Sequence, residues 1–454
     1  MSIQKIEHEP VVSIGLMTGA GDVAFELKGT FVNSAGERLE GGSYRAAASG
    51  DKVEIVAGAG WRGLSPSEYR LAPVEPSASF VIRDVTIGID FHWQRKQDQE
   101  FRGALKLKLN ADGKLTVINE IPVGDYLTSV ISSEMSANSH PELLKAHSII
   151  SRSWLLAQMK PWMKERHKPS FAIQTSGGEK QLIRWYDQES HTDFDVCADD
   201  HCQRYQGVTK ATSAKVHEAI SATYGQVLVY GDELCDARFS KSCGGMTESY
   251  DAAWEDSPKP YLAVLYDGEE FPEGFDLPLT EEANAERWIR NSPPAFCNTN
   301  DRSILGKILP DFDQETTDFY RWRMTVAQDE LQELLRKKLG VDFGFVRKLE
   351  PVERGVSGRI TQLRIVGERE TMIVGKELEI RRALSPSHLY SSAFVVESDE
   401  SSGAFTLIGA GWGHGVGLCQ IGAALMAERG YVFGSILEHY YRGARLYELY
   451  SAGV

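Results

Sequence analysis

The sequence predicts a β-rich α+β fold: a mixed β core with a few helices, a groove between the two halves of the sequence and a further β-rich region at the N-terminus. Residues 1–75 alternate short apolar stretches with Gly and Ser turns, which is typical of short strands. Apolar and polar residues alternate on both sides of the turn at 110–113, which indicates a β-hairpin. Apolar residues at helical spacing occur in only a few segments.

The elements can be placed in order along the chain. Residues 11–16 are predicted to form a strand because apolar residues dominate them. Two helices follow the hairpin, at about 125–135 and 141–159, and the second has Ser139 or His140 as its N-cap before Pro141. Further expected elements are helices at 280–291 and 329–339, a strand at 359–367 and a short helix after Gly422.

Length and composition predict several parts. A chain of 454 residues is too long for one compact core. The stretch at 71–77 contains two prolines and is interpreted as a linker, and the polar residues 266–356 are interpreted as an insertion. The predicted division is an N-terminal β-rich accessory region at 1–75, a main domain in two parts at 76–265 and 357–454, and the insertion between those parts.

The charge of the chain excludes one class of partner. Acidic residues outnumber basic ones 64 to 49, which gives a net charge of −15. A negative field opposes the phosphate contacts that dominate nucleic-acid binding, so we expect no nucleic-acid partner. The uncharged runs at 10–21 and 401–427 are rich in glycine, and we expect neither a targeting signal nor a transmembrane segment.

The most unusual segment is the glycine-rich loop at 409–423, which places six glycines around one Trp and one His. An interior glycine costs roughly 0.5–1 kcal/mol relative to Ala in a strand or helix, so this composition indicates a close backbone approach. The expected neighbour is a ligand, with Trp412 as an apolar wall and His414 and Gln420 as polar contacts. The alternative is an ordinary Gly-rich turn between a strand and a helix.

A single carboxylate is the best candidate for chemistry. Glu134 lies on the apolar stripe of the first helix, at its end. Burial raises the pKa of a Glu toward neutrality, as a general acid requires. The alternative is a structural Glu held by Arg152, which shares one face of the second helix with Lys145 and Ser148. That face offers a cationic contact for a substrate or for Glu134.

A short segment carries the residues of a zinc site. His191, Cys197, His201 and Cys202 supply two imidazoles and two thiols within twelve residues, which is the ligand set of a closed structural zinc site. Two alternatives stay open: Cys235 and Cys243 replace the histidines, or the segment is an exposed acidic loop with incidental His and Cys. Six cysteines in so long a chain do not indicate a disulfide framework.

Several motifs together resemble one protein family. They are Pro-Val-Gly-Asp-Tyr-Leu at 122–127, Ser-Glu-Met at 133–135, the helix segments 141–146 and 151–153, Phe-Ser-Lys-Ser-Cys-Gly-Gly-Met-Thr-Glu at 239–248 with Trp254 and 261–262, the glycine-rich loop, and 436–443. In this order they resemble the family of the bacterial stage II sporulation protein D and the amidase enhancer. The motifs cover about 100–265 and 357–454, so residues 1–75 and the insertion lie outside the resemblance.

The resemblance implies a lytic transglycosylase that cuts peptidoglycan glycan strands stripped of stem peptides. It implies that Glu134 is the catalytic residue and that the segment 191–202 binds structural zinc. It also implies a location in the cell envelope or periplasm, whereas the absence of a visible signal peptide leaves a cytoplasmic location open. The residues expected to contact substrate are Lys145, Arg152, Ser240, Ser242, Trp412, His414 and Gln420.

The sequence departs from the family pattern near these positions, and two other functions stay open. His147 stands where Gln is common, and Leu418-Cys419 replaces Met-Ser. One alternative is a glycan-binding enhancer of a cell-wall amidase without turnover, which an ion pair between Glu134 and Arg152 would favour. The other is a zinc-dependent hydrolase, against which four protein ligands argue, because catalytic zinc keeps one position open.

Overall fold

The computed structural model describes residues 3–58, 60–88, 94–159, 174–176, 179–185, 191–199, 201–209, 213–309, 314–399 and 401–451. The protein is 25% helical and 36% strand, with nine α-helices and 26 strands in those ranges. The predicted β-rich α+β class is therefore confirmed. Among the residues described, no helix is both long enough and apolar enough to cross a membrane.

The first 122 residues form most of two large sheets. Their strands are Val11–Ala20 (β1), Asp22–Lys28 (β2), Phe31–Asn33 (β3), Arg38–Leu39 (β4), Gly42–Ser49 (β5), Lys52–Ala57 (β6), Arg62–Pro66 (β7), Glu68–Pro73 (β8), Ser79–Ile87 (β9), Arg95–Arg102 (β10), Ala104–Leu109 (β11) and Leu115–Pro122 (β12). With Val196–Cys197 as β15, one sheet has the order β15-β1-β12-β11-β8-β3-β4 and the other β10-β9-β2-β5-β6-β7. Buried side chains from both sheets share one hydrophobic core, as in packed β layers.

The predicted boundary at residue 75 does not separate these sheets. Strand β1 pairs with β12, and β8 pairs with β11 through Leu71 opposite Leu105. The stretch interpreted as a linker therefore begins inside a strand, because Leu71 is a fully buried core residue. Residues 1–75 are part of the same sheets as the predicted hairpin, which is confirmed as the antiparallel pair β11 and β12.

The described residues contain the five predicted helices, with shifts at their ends, and four helices that the sequence analysis did not predict. They are Val123–Glu134 (α1), Pro141–Gln158 (α2), Ala214–Ala222 (α3), Glu282–Asn291 (α4), Arg302–Ile308 (α5), Gln328–Leu339 (α6), Glu377–Ala383 (α7), Gln420–Glu428 (α8) and Phe433–Tyr440 (α9), with 3₁₀ turns at Gly207–Thr209, Tyr250–Ala252 and Pro260–Leu262. His140 is the N-cap of α2, since its Nδ1 accepts from the Glu142 N–H at 3.3 Å. Helix α8 begins before Gly422 and includes Gln420.

Strands between residues 174 and 448 form four smaller sheets. The remaining strands are Gln174–Ser176 (β13), Glu179–Ile183 (β14), Gln226–Tyr230 (β16), Glu233–Leu234 (β17), Phe239–Ser240 (β18), Arg321–Val326 (β19), Val346–Arg354 (β20), Ile360–Gly367 (β21), Thr371–Gly375 (β22), Phe394–Ser398 (β23), Phe405–Ala410 (β24), Leu418–Cys419 (β25) and Arg445–Glu448 (β26). Their orders are β13-β14-β22-β21-β20, β17-β16-β26, β18-β25 and β19-β24-β23.

The predicted insertion is joined by strand pairing to the C-terminal part of the chain. Strand β19 pairs with β24, and β20 pairs with β21, so residues 266–356 share sheets with residues 357–454. The two parts of the predicted main domain, 76–265 and 357–454, meet at the parallel pair β18 and β25, where Phe239 lies opposite Leu418 and Ser240 opposite Cys419. This pair sets the motif at 239–248 beside the glycine-rich loop.

Candidate functional site

Glu134 is the last residue of α1 and is half-buried. The residues that share its predicted stripe, Leu127, Val130 and Ile131, are fully buried, so the helix holds the carboxylate at the edge of the core. Glu134 Oε1 accepts a hydrogen bond from the backbone N–H of Arg204 at 2.9 Å. The predicted carboxylate is thus tied to the segment that begins at Cys202.

That segment runs along α1 over most of the helix. Tyr126 Oη donates to Gln203 Oε1 at 3.2 Å, and the Gln206 N–H donates to Ser129 Oγ at 3.0 Å. Together with the bond to Glu134, these contacts hold residues 203–206 against one side of the helix. The position of the carboxylate therefore depends on the loop that carries the predicted metal ligands.

The four predicted metal ligands lie together. The donor atoms of His191, Cys197, His201 and Cys202 are all within 4.8 Å of one another. Cys202 Sγ is 3.4 Å from His191 Nε2 and 3.4 Å from His201 Nδ1, and Cys197 Sγ is 3.8 Å from His201 Nδ1. Tetrahedral zinc with ordinary bond lengths separates a sulfur and a nitrogen ligand by about 3.5 Å. These residues fit one zinc ion.

The alternative ligand set does not fit. Cys235 and Cys243 are buried elsewhere, and neither joins the group formed by the four predicted residues. A hydrogen bond from the Cys202 thiol lowers the pKa of Cys197, and the same bond raises the pKa of Cys202. One of the two sulfurs is thereby favoured as the thiolate that zinc requires.

The metal loop, which carries the four predicted ligands between residues 191 and 202, is anchored on the first large sheet. Asp195 Oδ2 accepts from the N–H of Ser13 at 2.9 Å and from its Oγ at 2.6 Å, and Lys108 forms an ion pair with Asp193. Cys197 lies in β15, which pairs in parallel with β1 opposite Gly15. The N-terminal strand thus supports the metal loop directly.

The glycine-rich loop packs closely against a buried part of the protein on one side. The buried Arg359 guanidinium lies beneath the loop and donates to the Gly413 carbonyl from Nε at 3.2 Å and from Nη2 at 3.1 Å. A Cβ added to Gly415, whose φ is +76°, would lie 2.4 Å from Arg359 Cζ. The backbone of the loop at Gly415 therefore lies too close to Arg359 for any residue other than glycine.

We expect Gly415→Ala to destabilise the fold by about 2–5 kcal/mol, because it combines a left-handed backbone with a clash in a packed interior. Chemical denaturation measures the effect. Gly430→Ala is a matched control, since Gly430 has φ +89° and no atom within 4 Å of an added Cβ. Equal losses in the two variants would contradict the role assigned to Arg359.

Trp412 and His414 are the partly exposed side chains of this loop. Trp412 stacks on Tyr390, with ring centroids 4.2 Å apart, so one face of its indole is already covered. The Val416 N–H donates to His414 Nδ1 at 3.0 Å. Burial lowers the pKa of His414 well below its ordinary value, and nearby arginine charges lower it further, so the imidazole is neutral at neutral pH.

Other predicted contact residues are buried within the framework. Arg152 Nη1 donates to the carbonyls of Thr223 and Gln226, both at 2.9 Å, and among the described residues no ion pair joins Arg152 to Glu134. Ser240 and Ser242 are buried, and their hydroxyls have no hydrogen-bond partner in the described part of the chain. Burial of Arg152 argues against a substrate contact from it.

Gln420 and Lys145 also have partners of their own. Gln420 Nε2 lies 3.2 Å from Nε2 of the buried His147, whose pKa burial lowers to about 3. This contact joins α8 to α2. His147, which stands where Gln is common in the family, therefore has Gln420 as its partner. Lys145 forms an ion pair with Glu142 at 2.7 Å.

Arg238 and Trp254 lie beside the glycine-rich loop. Arg238 Cζ lies 4.0 Å from the centre of the Trp254 ring, and that ring contacts His414 with centroids 5.1 Å apart. The charge of Arg238 acts on both the Cys202 thiol and the His414 imidazole. Sequence reasoning missed Arg238, although it directly precedes the Phe239-Ser240 motif.

Known proteins match the chain over these same segments. The family model described as stage II sporulation protein matches residues 111–230, and a domain of unknown function (DUF8618) matches residues 248–417. Stage II sporulation protein D of Bacillus amyloliquefaciens is 25% identical over 332 residues, which cover 73% of this chain and 76% of the relative. The same protein of Bacillus subtilis (strain 168) is 25% identical over 337 residues, with 73% and 76% covered. The amidase enhancer of that strain is 23% identical over 336 residues, which cover 70% of this chain and 40% of the relative.

The resemblance to the stage II sporulation protein D and amidase enhancer family is confirmed by these matches. The first matched segment contains Glu134 and the four predicted zinc ligands. The second begins before the predicted insertion and ends within the glycine-rich loop, in agreement with the shared sheets of that region. These similarities support a function related to the cell wall.

Proposed function

We propose that the protein is a lytic transglycosylase that cuts peptide-denuded glycan strands of peptidoglycan with Glu134 as its single acid and base. The observation that supports this most strongly is the position of Glu134. It ends a buried helical stripe, remains half-exposed and accepts the Arg204 N–H beside the cluster of zinc ligands. The carboxylate is thereby held in one orientation within the segment that matches the family.

One carboxylate is sufficient for this reaction. Most glycosidases need two, because one protonates the leaving oxygen and the other activates water or attacks the sugar. Here protonated Glu134 gives its proton to the glycosidic oxygen as the bond from C1 to that oxygen breaks. The resulting carboxylate takes the proton of the C6 hydroxyl as O6 attacks C1. The product has a 1,6-anhydro end, and Glu134 is protonated again.

The attacking hydroxyl belongs to the same sugar, so a second protein group is not required. Tethered reactants reach effective molarities of about 10⁵–10⁸ M when they are well oriented. The half-exposed edge of Trp412 offers an apolar surface for a sugar ring. His414, neutral because of burial and neighbouring arginines, offers a hydrogen-bonding group without charge.

In this proposal zinc has a structural role. Bound by His191, Cys197, His201 and Cys202, it would fix the loop whose Arg204 N–H orients Glu134. Four protein ligands complete tetrahedral coordination, whereas catalytic zinc keeps a position for water or substrate. This argues against the zinc-dependent hydrolase.

A second candidate is a glycan-binding enhancer of a cell-wall amidase. It is favoured by the similarity to a protein named amidase enhancer. An ion pair between Glu134 and Arg152 would have supported it from the site itself, but in the described part of the chain these two residues bond to backbone groups instead. The two functions differ in their products, because an enhancer alone leaves the glycan strand intact.

The test is mass analysis of products from denuded glycan strands. A lytic transglycosylase releases fragments with 1,6-anhydro ends, which lack the water that hydrolysis adds. Reducing ends without anhydro sugar would indicate a hydrolase. Intact strands together with faster cleavage by an added amidase would establish the enhancer and overturn the proposal.

A further inference from the structure

A second group of metal-binding side chains lies in the interior, apart from the predicted zinc ligands. Cys243, Asp267, Cys297 and Cys419 are all buried, and their ligand atoms lie within 4.8 Å of one another. They come from four separate segments: the loop after β18, the loop before α4, the loop after α4 and the end of β25. Folding has brought three thiols and one carboxylate together in the interior.

The spacing fits one ion. Cys243 Sγ lies 3.6 Å from Cys297 Sγ and 3.3 Å from Asp267 Oδ2. Around tetrahedral zinc two sulfur ligands are about 3.8 Å apart, and a sulfur and an oxygen ligand are about 3.5 Å apart. A cluster of several metal atoms with bridging sulfides needs wider spacing between its ligands. The group is therefore suited to a single ion.

The surrounding atoms orient the ligands. Tyr440 Oη donates to Asp267 Oδ1 at 2.6 Å, and His439 Nε2 lies 3.6 Å from that same oxygen. The other oxygen, Oδ2, is thereby left to face Cys243. Partners of this kind on the far side of a ligand are characteristic of metal sites.

Backbone donors surround the third thiol. The N–H groups of Cys243 and Gly422 point at Cys419 Sγ at 3.3 and 3.4 Å. A Cβ added to Gly422 would lie 2.5 Å from Asp267 Oδ2, so only glycine lets the start of α8 approach the carboxylate. Donors directed at sulfur stabilise a thiolate, which is the form that binds a metal.

The chemistry of the ligands selects the metal. Soft thiolates favour zinc, copper(I) or iron over magnesium and calcium, which prefer oxygen ligands. Three thiolates and a carboxylate carry four negative charges, which a divalent ion partly neutralises. The guanidinium groups of Arg359, which is buried, and of Arg321, which is partly buried, interact electrostatically with the Cys243 thiol and reduce the remaining charge.

We propose that Cys243, Asp267, Cys297 and Cys419 bind one structural zinc ion. The site would fasten the predicted insertion, which contributes Asp267 and Cys297, to the start of α8 and to the segment after β18. This gives one explanation for two departures from the family pattern: the insertion itself and Cys419 in place of Ser. Four buried protein ligands leave no open position for catalysis.

Native mass spectrometry of protein purified without added metal tests the proposal, because it counts metal ions in each folded molecule. With both metal groups occupied we expect about two zinc ions per chain. Cys297→Ala is expected to lose one of them. Cys419→Ser, which restores the family residue at that position, is a second variant with little change in volume and is also expected to lose one.

Cys235→Ala is the matched control, since Cys235 is a buried cysteine outside both metal groups, and it is expected to keep the wild-type zinc count. Two results would overturn the proposal. One is the same zinc count in wild type, Cys297→Ala and Cys419→Ser. The other is peptide mapping that shows a disulfide between Cys243 and Cys297, together with zinc that is lost only when Cys197 and Cys202 are replaced.

Discussion

Replacement of Glu134 by Gln is expected to lower the turnover of denuded glycan strands by about 10²–10⁴-fold, the usual contribution of general acid and base catalysis. Gln keeps the length of the side chain and an oxygen that can accept a hydrogen bond from the Arg204 N–H. In the wild type that N–H lies 2.9 Å from Glu134 Oε1. It cannot deliver the proton that the leaving oxygen needs. Glycan binding and thermal unfolding should stay near the wild-type values, and the rate of anhydro-product formation is the measurement.

Glu218→Gln is a matched control for this experiment. Glu218 is an exposed residue of α3, so the same chemical change should leave turnover unaltered. Cleavage at the normal rate by the Glu134 variant would make Glu134 a structural residue. A variant that loses both glycan binding and stability would show that the carboxylate holds the helix and the metal loop together rather than transferring protons.

Removal of the zinc that we propose for the metal loop should lower both stability and activity. Cys197→Ala combined with Cys202→Ala deletes both thiolates and is expected to reduce the zinc content by about one ion per chain. At free zinc of about 100 times the dissociation constant, mass action alone stabilises the folded state by about 2.7 kcal/mol. Activity should fall as well, because the Arg204 N–H that orients Glu134 lies two residues beyond Cys202 in the chain.

Elemental analysis and thermal unfolding are the measurements for this variant, again with Cys235→Ala as the control cysteine. Chelation of the wild-type protein should lower its melting temperature, and zinc added back should restore both melting and turnover. Wild-type protein that contains no metal and melts at the same temperature with a chelator would contradict a zinc site at residues 191–202.

Periodicity predicted the local elements well. The hairpin β11 and β12 and the helices α1 and α2 result from the spacing of apolar residues within one short segment. The gathering of His191, Cys197, His201 and Cys202 was also predictable, because the four residues are close in sequence. The position of Glu134 at the end of the apolar stripe of α1 was predictable for the same reason, because the stripe lies within one short segment.

Long-range pairing was not predictable from such patterns. Strand β1 pairs with β12, which lies about 100 residues later along the chain, so a sheet continues across the predicted boundary at residue 75. The neighbour of Gly415 is Arg359, and no sequence pattern joins those two positions. The helical spacing of α2 predicts that Arg152 is a cation on one face of the helix. Its guanidinium instead donates to carbonyls of the segment after α3, and the sequence of α2 gives no sign of these partners.

The parallel pair of β18 and β25 has a consequence for biosynthesis. Ser240 pairs with Cys419, so these strands cannot meet until the ribosome has released the chain beyond residue 419. Contacts so distant in sequence form late and slowly, because loop closure must precede them. Glu134 and the metal loop can be in place long before the glycine-rich loop arrives. For much of translation the nascent protein therefore contains Glu134 but lacks the glycine-rich loop, to which the proposed function assigns the binding of a sugar.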